Sequence, residues 1–389
     1  MTADFTPENI MPEDHGLLVG RVWRPAPING PSIVRIDGSL VVDITAAFPT
    51  IADVLNAPDR ARRIRAAAGE VIGDVGAILA ESAANRRQGP HFLAPSDLQP
   101  TKAAGVTFAI SMLERVIEEQ AKGDPARANE LRATIQDQIG ADLAAIVPGS
   151  AQADALKAKL MEMGAWSQYL EVGIGPMAEV FTKAPPMAAV GLGAAVGLHP
   201  DSVWSNPEPE IALAIAASGE VVGATLGNDV NLRDIEGRSA LLLGRAKDNN
   251  ASAALGPFLR LFDETFSIDD VRQAQLSLKV TGEDQFVLEG ASDMRAISRD
   301  PLDLAAQTLS AHHQYPDGAF LMCGTLFAPI KDRGTPGQGF THKLGDVVEI
   351  ASLKLGRLVN TVMLTDQAPP WTFGTRALMA NLARRGIAV

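Results

Sequence analysis

The chain has 389 residues, 46% of them hydrophobic and 21% charged, a balance that fits one large or two medium globular domains and argues against long disorder. A formal net charge of −12 disfavours nucleic acid or an anionic membrane as partner, because either calls for a basic patch. The single Cys323 excludes an intramolecular disulfide framework and a cysteine-rich zinc site.

The N-terminal run MTADFTPENIMPEDHGLL is acidic and lacks both a basic and an apolar signal region, so no secretory leader is expected. Apolar stretches are broken by Gly, Pro or charge before the roughly 18 residues a membrane span needs, and a cytoplasmic setting is the default expectation. Residues 1–95 read as a separate β-rich unit, with strands over 17–23, 32–36 and 40–44. Asp37-Gly38 gives a hairpin turn between the last two. Helices are expected over 51–55 and 59–68, and the Pro-bearing HFLAPSDLQP at 91–100 marks the boundary with a second unit over 96–389.

A helical insertion is predicted at about 108–163. Leu113, Val116, Ile117 and Gln120 follow helical spacing, with Glu114 and Glu118 four apart on an adjoining face. Asp124-Pro125 and Pro148-Gly149-Ser150 interrupt the pattern, so second and third helices are predicted over 126–146 and 151–163. The insertion serves as scaffold, subunit contact or lid. Strands follow over 188–196, 211–226, 275–281, 285–288, 320–323, 347–353 and 356–362, with helices over 268–274 and 301–311. The fold class is therefore α+β, with a rolled or barrel-like mixed sheet rather than a doubly wound one. No GxGxxG after a strand, P-loop or GxSxG occurs.

The densest chemistry lies in NPEPEIALAI and LGNDVNLRD. Glu208 and Glu210 are two apart on a strand and so share a face. Ser218-Gly219 is a turn signal, and a turn centred there sets Asp229 opposite Glu208 and Gly227 opposite Glu210. Three carboxylates so close repel one another unless a cation sits between them, and an all-oxygen site suits Mg2+ first and Mn2+ next. The plainer reading is a set of solvated acids at a strand end.

Together with KAAGVTF, VFTKAPP, GRAKDNNASAALGPF, the CGT at 323–325 and LGDVVEIASLKLGRLVN, these segments resemble the fumarylacetoacetate hydrolase superfamily over about residues 100–365. The resemblance implies a mixed β-roll catalytic domain behind a smaller N-terminal one, and Mg2+ or Mn2+ on Glu208, Glu210 and Asp229. It also implies a substrate with a 2-oxo acid or similar chelating, enolisable group, and a homodimer or homotetramer. One departure is informative. Hydrolases of the family carry GxNYxxHxxE, whereas the run from Gly105 to Glu114 has Ser111 in the histidine position. A serine hydroxyl cannot activate water as a base near neutral pH. Asn250 and Ala251 stand where many hydrolases have Asp-Thr, and Asp229 follows Glu210 by only 19 residues. In these respects the chain is similar to the 2-keto-3-deoxy sugar acid dehydratase subgroup, as are WSQYLEVGIGPMAEVFTK and KDNNAS.

That subgroup implies dehydration of a 2-keto-3-deoxy-D-pentonate (xylonate or arabinonate) to 2,5-dioxopentanoate by enolisation and β-elimination. The alternative is hydrolysis of a C–C bond in a 2,4-diketo acid on the same fold. Lys247, in the family's lysine position, is expected to transfer a proton or stabilise the enolate, with a pKa lowered by a nearby cation and burial; otherwise it pairs with the carboxylates. Glu114 and Glu171 are candidates for handling the leaving hydroxyl, or else lie on a solvated face or pair with arginine. Ser111 bonds substrate or its own backbone. Arg233, in the arginine slot of NDxxxRD, binds substrate or holds its loop. Thr325 and Gly324 match the substrate-carboxylate position, and Lys183 the family's FxK lysine. His312 and His313 are expected at a helix end.

Overall fold

The computed structural model describes residues 4–388 except 15, 84–86, 123, 125, 129, 131–145, 163–165, 328, 330 and 335–338, and the side chain at 110. A short helix α1 (Pro7–Ile10) precedes a meander of β1 (Leu18–Arg24), β2 (Gly30–Asp37) and β3 (Leu40–Asp43). The β2–β3 turn falls one residue past the Asp37-Gly38 signal, at Gly38-Ser39, because Asp37 still pairs with Leu40; Gly38 sits at φ +60°. Helix α2 (Ile51–Asn56) starts on a reciprocal cap between Thr50 and Asp53, which satisfies two otherwise orphaned backbone donors. Then come α3 (Arg60–Ala66), β4 (Glu70–Asp74), α4 (Val75–Ala83), β5 (His91–Leu93) and β6 (Thr101–Gly105).

The insertion contributes α5 (Ala109–Ala121), α6 (Ala151–Glu162) and α7 (Gln168–Ile174). The helix expected over 126–146 lies largely outside the described residues. After β7 (Glu179–Ala184) and β8 (Ala195–Leu198), the chain forms the hairpin β9 (Ser205–Ile215) and β10 (Val221–Leu232). Short helices α8 (Arg233–Glu236) and α9 (Leu243–Ala246) lead to β11 (Ala253–Leu261). The remaining strands are β12 (Gln275–Thr281), β13 (Val287–Asp293), β14 (Ala319–Met322), β15 (Val347–Ser352) and β16 (Gly356–Leu364).

Two mixed sheets result. One runs β4-β3-β2-β1-β11-β10-β9-β14-β6-β7, with β5 beside β1; the other runs β13-β12-β15-β16-β8. Each has two ends, so the mixed sheet expected from sequence is present as two open sheets rather than one closed barrel. The β9–β10 hairpin is their common centre. Ile211, Leu213, Ile215, Leu226 and Val230 face Leu278, Val280, Ile350 and Leu358 of the smaller sheet. The alternate residues Ala212, Ala214 and Val222 pack with Ile51, Val54 and Leu55 of α2. With both faces covered, the half of the hairpin next to the turn, 211–215 and 221–226, reads as almost unbroken apolar sequence.

The boundary expected near residue 95 is not a break in the sheet. Strand β1 pairs with β11 at Leu18↔Arg260 and Val19↔Leu259, so the N-terminal strands continue the central sheet. Burial explains this: Leu18 and Val22 pack in one core and Val19 in another, so β1 is covered on both faces and needs neighbours on both edges. The insertion builds a core of its own, where Met112, Val116 and Ile117 of α5 meet Leu156, Leu160, Leu170 and Ile174. No described helix is long and apolar enough to cross a membrane.

Candidate active site

The hairpin register is the one the sequence predicts at the carboxylates: Asp229 lies opposite Glu208 and Gly227 opposite Glu210. The turn itself is centred one half-residue earlier than expected. Ala216 N–H bonds the Glu220 carbonyl and Val221 pairs with Ile215; an irregularity between Val221 and Gly223 then restores the predicted register. Pro207 and Pro209 do not weaken the strand. The carbonyls of Ser205 and Ile211 accept from His342 and Cys323 N–H groups, so odd-numbered residues of β9 turn their backbone away from β10. The missing proline donors therefore cost no β9–β10 bond.

Ligand oxygens from Glu208, Glu210 and Asp229 all lie within 4.8 Å of one another. Each carboxylate is held. Asn231 Nδ2 donates to Glu208 Oε1 at 2.7 Å, and the Gly324 backbone N–H donates to Glu210 Oε2 at 2.5 Å. Gly324 sits at φ +88°, where a Cβ would meet Thr107 Oγ1 at 2.1 Å, so glycine is required for this close approach. Lys183, wholly buried, stands 2.6 Å from Asp229 Oδ1 and donates to the Val230 carbonyl at 2.9 Å.

Burial and Asp229 push Glu208 up to about 7, and burial with the charges of Asp229 and Glu208 drives Glu210 well above the carboxylate range. Such crowding is what a site shaped for a cation produces. Charge counting gives the same result. Through Lys247, Glu236, Arg115, Glu118, Arg233 and Glu114, a continuous chain of ion pairs runs from Asp229 to α5. With Lys183 and the triad it holds six carboxylates and four cations, an excess of two negative charges. A divalent cation neutralises that excess, and an all-oxygen donor set suits a hard one such as Mg2+.

Lys247 differs from expectation. Its Nζ is 2.6 Å from Glu236 Oε1 and 3.3 Å from Asp229 Oδ1, above the Phe181 ring. Burial lowers its pKa, but Asp229, Glu236 and Glu208 together outweigh burial and hold it above the ordinary lysine value. The expected lowering is found instead at Lys183, where burial wins over Asp229. Glu236 is buried, yet Arg115 and Lys247 pull it down to about 2. Lys247 is thus a clamped ammonium, suited to donating hydrogen bonds rather than accepting a proton.

The pocket beside the triad is lined by Ser111, Arg115, Tyr169, Glu179, Phe181, Ser239, Leu243, Gly324 and Thr325, among others. Of the residues singled out from sequence, Lys247, Ser111, Gly324, Thr325 and the triad meet there. The Ser111 hydroxyl is already used, donating to the Phe108 carbonyl at 2.8 Å and accepting from its N–H. Thr325 Oγ1 accepts from Phe327 N–H at 3.1 Å.

Four others stand outside the lining. Glu114 bonds Arg233 Nη2 at 3.1 Å, and Arg233 in turn takes Glu118 at 2.6 Å and stacks on Trp204. Arg233 therefore ties α5 to α8 rather than facing the pocket. Glu171 lies about half exposed on α7 and pairs with Lys157, an outward position on its helix. Lys183 lies behind Asp229.

Sequence reading missed Glu179, Glu236 and Arg115. Glu179, Phe181 and Lys183 alternate along β7, the same two-residue spacing that picked out Glu208 and Glu210, so the strand pattern could have found Glu179. It is partly buried with no ion pair among the described residues, and burial raises its pKa above the usual carboxylate value. A Cβ on Gly105 would come within 2.2 Å of Glu179 Oε2, so glycine there leaves the carboxylate its place. Arg115 and Glu236 carry no local signal, because their pairing joins helices 121 residues apart in sequence.

This combination of sheets and a carboxylate triad that could hold a metal ion points to a known family. The family model described as "Fumarylacetoacetate (FAA) hydrolase C-terminal" matches residues 155–363, and the chain belongs to that family. A 2-dehydro-3-deoxy-D-arabinonate dehydratase of Saccharolobus solfataricus is 32% identical over 184 residues, 47% of this chain and 58% of that protein. A probable 2-keto-3-deoxyxylonate dehydratase of Haloferax volcanii is 30% identical over 194 residues, 50% of this chain and 63% of that protein. The match thus spans under two thirds of either relative. The solved 2-keto-3-deoxy-D-arabinonate dehydratase complexed with magnesium and 2,5-dioxopentanoate shares the fold at TM-score 0.61 and 20% identity, covering 89% of this chain and 99% of that one.

Proposed function

We propose that the chain is a metal-dependent dehydratase converting a 2-keto-3-deoxy-D-pentonate into 2,5-dioxopentanoate. The names of its two dehydratase relatives support the substrate class. The observation that carries the reading is Glu179, a pocket carboxylate with no ion pair among the described residues, standing in a site whose hydrolytic positions are both engaged elsewhere. Ser111 is bonded within its own helix and Glu114 is held by Arg233, so neither is available to activate water.

Glu208, Glu210 and Asp229 would hold Mg2+, which when bound supplies a Lewis acid for the carboxylate and keto oxygens of a 2-oxo acid. Glu179 takes a proton from C3, its basicity raised by burial. The enolate charge that develops faces the ammonium of Lys247, which Glu236 and Asp229 fix in place. Protonated Glu179 gives its proton to the C4 hydroxyl, which leaves as water. Loss of a C5 proton and tautomerisation then yield the aldehyde. Phe181, Tyr169 and Val106 form the apolar part of the wall and limit water at the reacting carbons.

The test is incubation with Mg2+ and 2-keto-3-deoxy-D-xylonate or 2-keto-3-deoxy-D-arabinonate. Formation of 2,5-dioxopentanoate that EDTA abolishes is expected. Cleavage of a 2,4-diketo acid to pyruvate, with no dehydration of either sugar acid, would overturn the proposal.

A further inference from the structure

Both cationic side chains that line the pocket are already matched. Arg115 lies within 2.9 Å of Glu118 and 2.7 Å of Glu236, with Glu208 at 3.5 Å, and Lys247 is shared between Glu236 and Asp229. Glu179 is left over: its carboxylate lines the same pocket with no cation bound to it among the described residues. The remaining polar groups on this wall are neutral hydroxyls. Ser239 Oγ accepts from the Leu241 N–H and keeps its own proton to donate, and Tyr169 O–H reaches the Glu236 carbonyl at 3.3 Å. The wall therefore offers hydrogen bonds to hydroxyl groups and, to anything anionic, a carboxylate whose nearby cations Arg115 and Lys247 are already bonded to other carboxylates.

From this arrangement we infer that Glu179 also acts as a charge filter, admitting 2-oxo acids with an uncharged far end and excluding those with a second carboxylate. The inference rests on reading the pocket as a 2-oxo acid site. In a five-carbon acid, C5 lies two bonds from the C3 whose proton Glu179 takes, so a C5 carboxylate would stand beside the Glu179 carboxylate. Like charges juxtaposed in a partly desolvated site are strongly unfavourable, and no unmatched cation is at hand to relieve them. Gly105 is part of the device: a side chain there would displace the Glu179 carboxylate from its place.

Calorimetric titration of the Mg2+-loaded full chain with 2-oxopentanoate and with 2-oxoglutarate tests the filter, because these acids have equal carbon number and differ only in methyl against carboxylate at C5. The wild-type chain is expected to bind the monoanion at least about tenfold more tightly. Glu179→Gln should shrink that preference by about the same factor, and Glu179→Asp should restore it. Equal affinities in the wild-type chain, or a preference that Glu179→Gln leaves intact, overturn the filter while leaving the 2-oxo acid site standing. If neither acid binds a chain that still takes up Mg2+, the proposed function falls and the filter with it. Titration with Mg2+ alone separates selectivity from collapse: Glu179→Gln should keep wild-type metal affinity, and loss of it would make Glu179 part of the metal site instead.

Discussion

The pocket is made of two unlike halves. The β9–β10 side is strand-built: its three carboxylates converge because alternation and register force them to, whatever else the chain does. The helical side, from α5, α7 and the turn after β10, converges through an apolar core and through ion pairs between segments far apart in sequence. The difference teaches where chemistry can be read from sequence. Period-two geometry is local, whereas a buried charge network exists only once the fold is complete.

Four experiments press on that contrast. The largest effect is expected at the strand half. Asp229→Asn removes a triad oxygen charge and leaves Lys183 and Lys247 without their shared partner, so turnover should fall by about 10³-fold or more, with Mg2+ affinity lost in calorimetry. On the helical half, Glu118→Leu takes away the carboxylate shared by Arg115 and Arg233 in a buried setting, leaving Arg115 on Glu236 and Arg233 on Glu114. Thermal or urea unfolding should show a loss of about 3–5 kcal/mol, larger than any effect on the triad's metal affinity. An Mg2+ affinity that collapses along with stability would mean the two halves are one unit.

The third experiment uses pH. Glu208 rises in the folded chain from an ordinary 4.5 to about 7, so between those values the folded state binds more protons than the unfolded one. Stability of the metal-free protein must then fall as pH rises through this window, by about 3 kcal/mol from Glu208 alone. Melting curves in EDTA should drop across it while curves in Mg2+ stay flatter, and parallel curves would remove the triad as a cation site. The smallest effect is expected at Glu171→Ala. Its pair with Lys157 is half exposed, so stability should change by less than about 0.5 kcal/mol and turnover by less than about twofold.

Much of the sheet was legible. Strands β12, β15 and β16 fall within two residues of their expected limits, because alternation survives in strands with one wet face. Strands β6, β7 and β11 were not expected: β11 is buried at every position and β6 at all but one, which erases alternation, and β7 is short. The continuity of the N-terminal strands with the central sheet was not legible, because β1–β11 pairing involves residues more than 200 apart and nothing in either strand advertises its partner. At the site, Lys247 was found by resemblance, but Glu236, which with Asp229 clamps it, had not been singled out.

The two prolines before the triad have a consequence beyond β9 itself. Strand β14 covers only the Ala212–Ile215 end of β9; among the described residues no strand lies against the outer edge of the stretch holding Pro207 and Pro209, which is met only at its ends by the Cys323 and His342 N–H groups. An uncapped edge normally invites another chain to add to it. With no N–H at either position, that stretch cannot donate to an incoming strand. The acid-rich end of the hairpin is therefore guarded against intermolecular sheet growth by the same residues that frame its ligands.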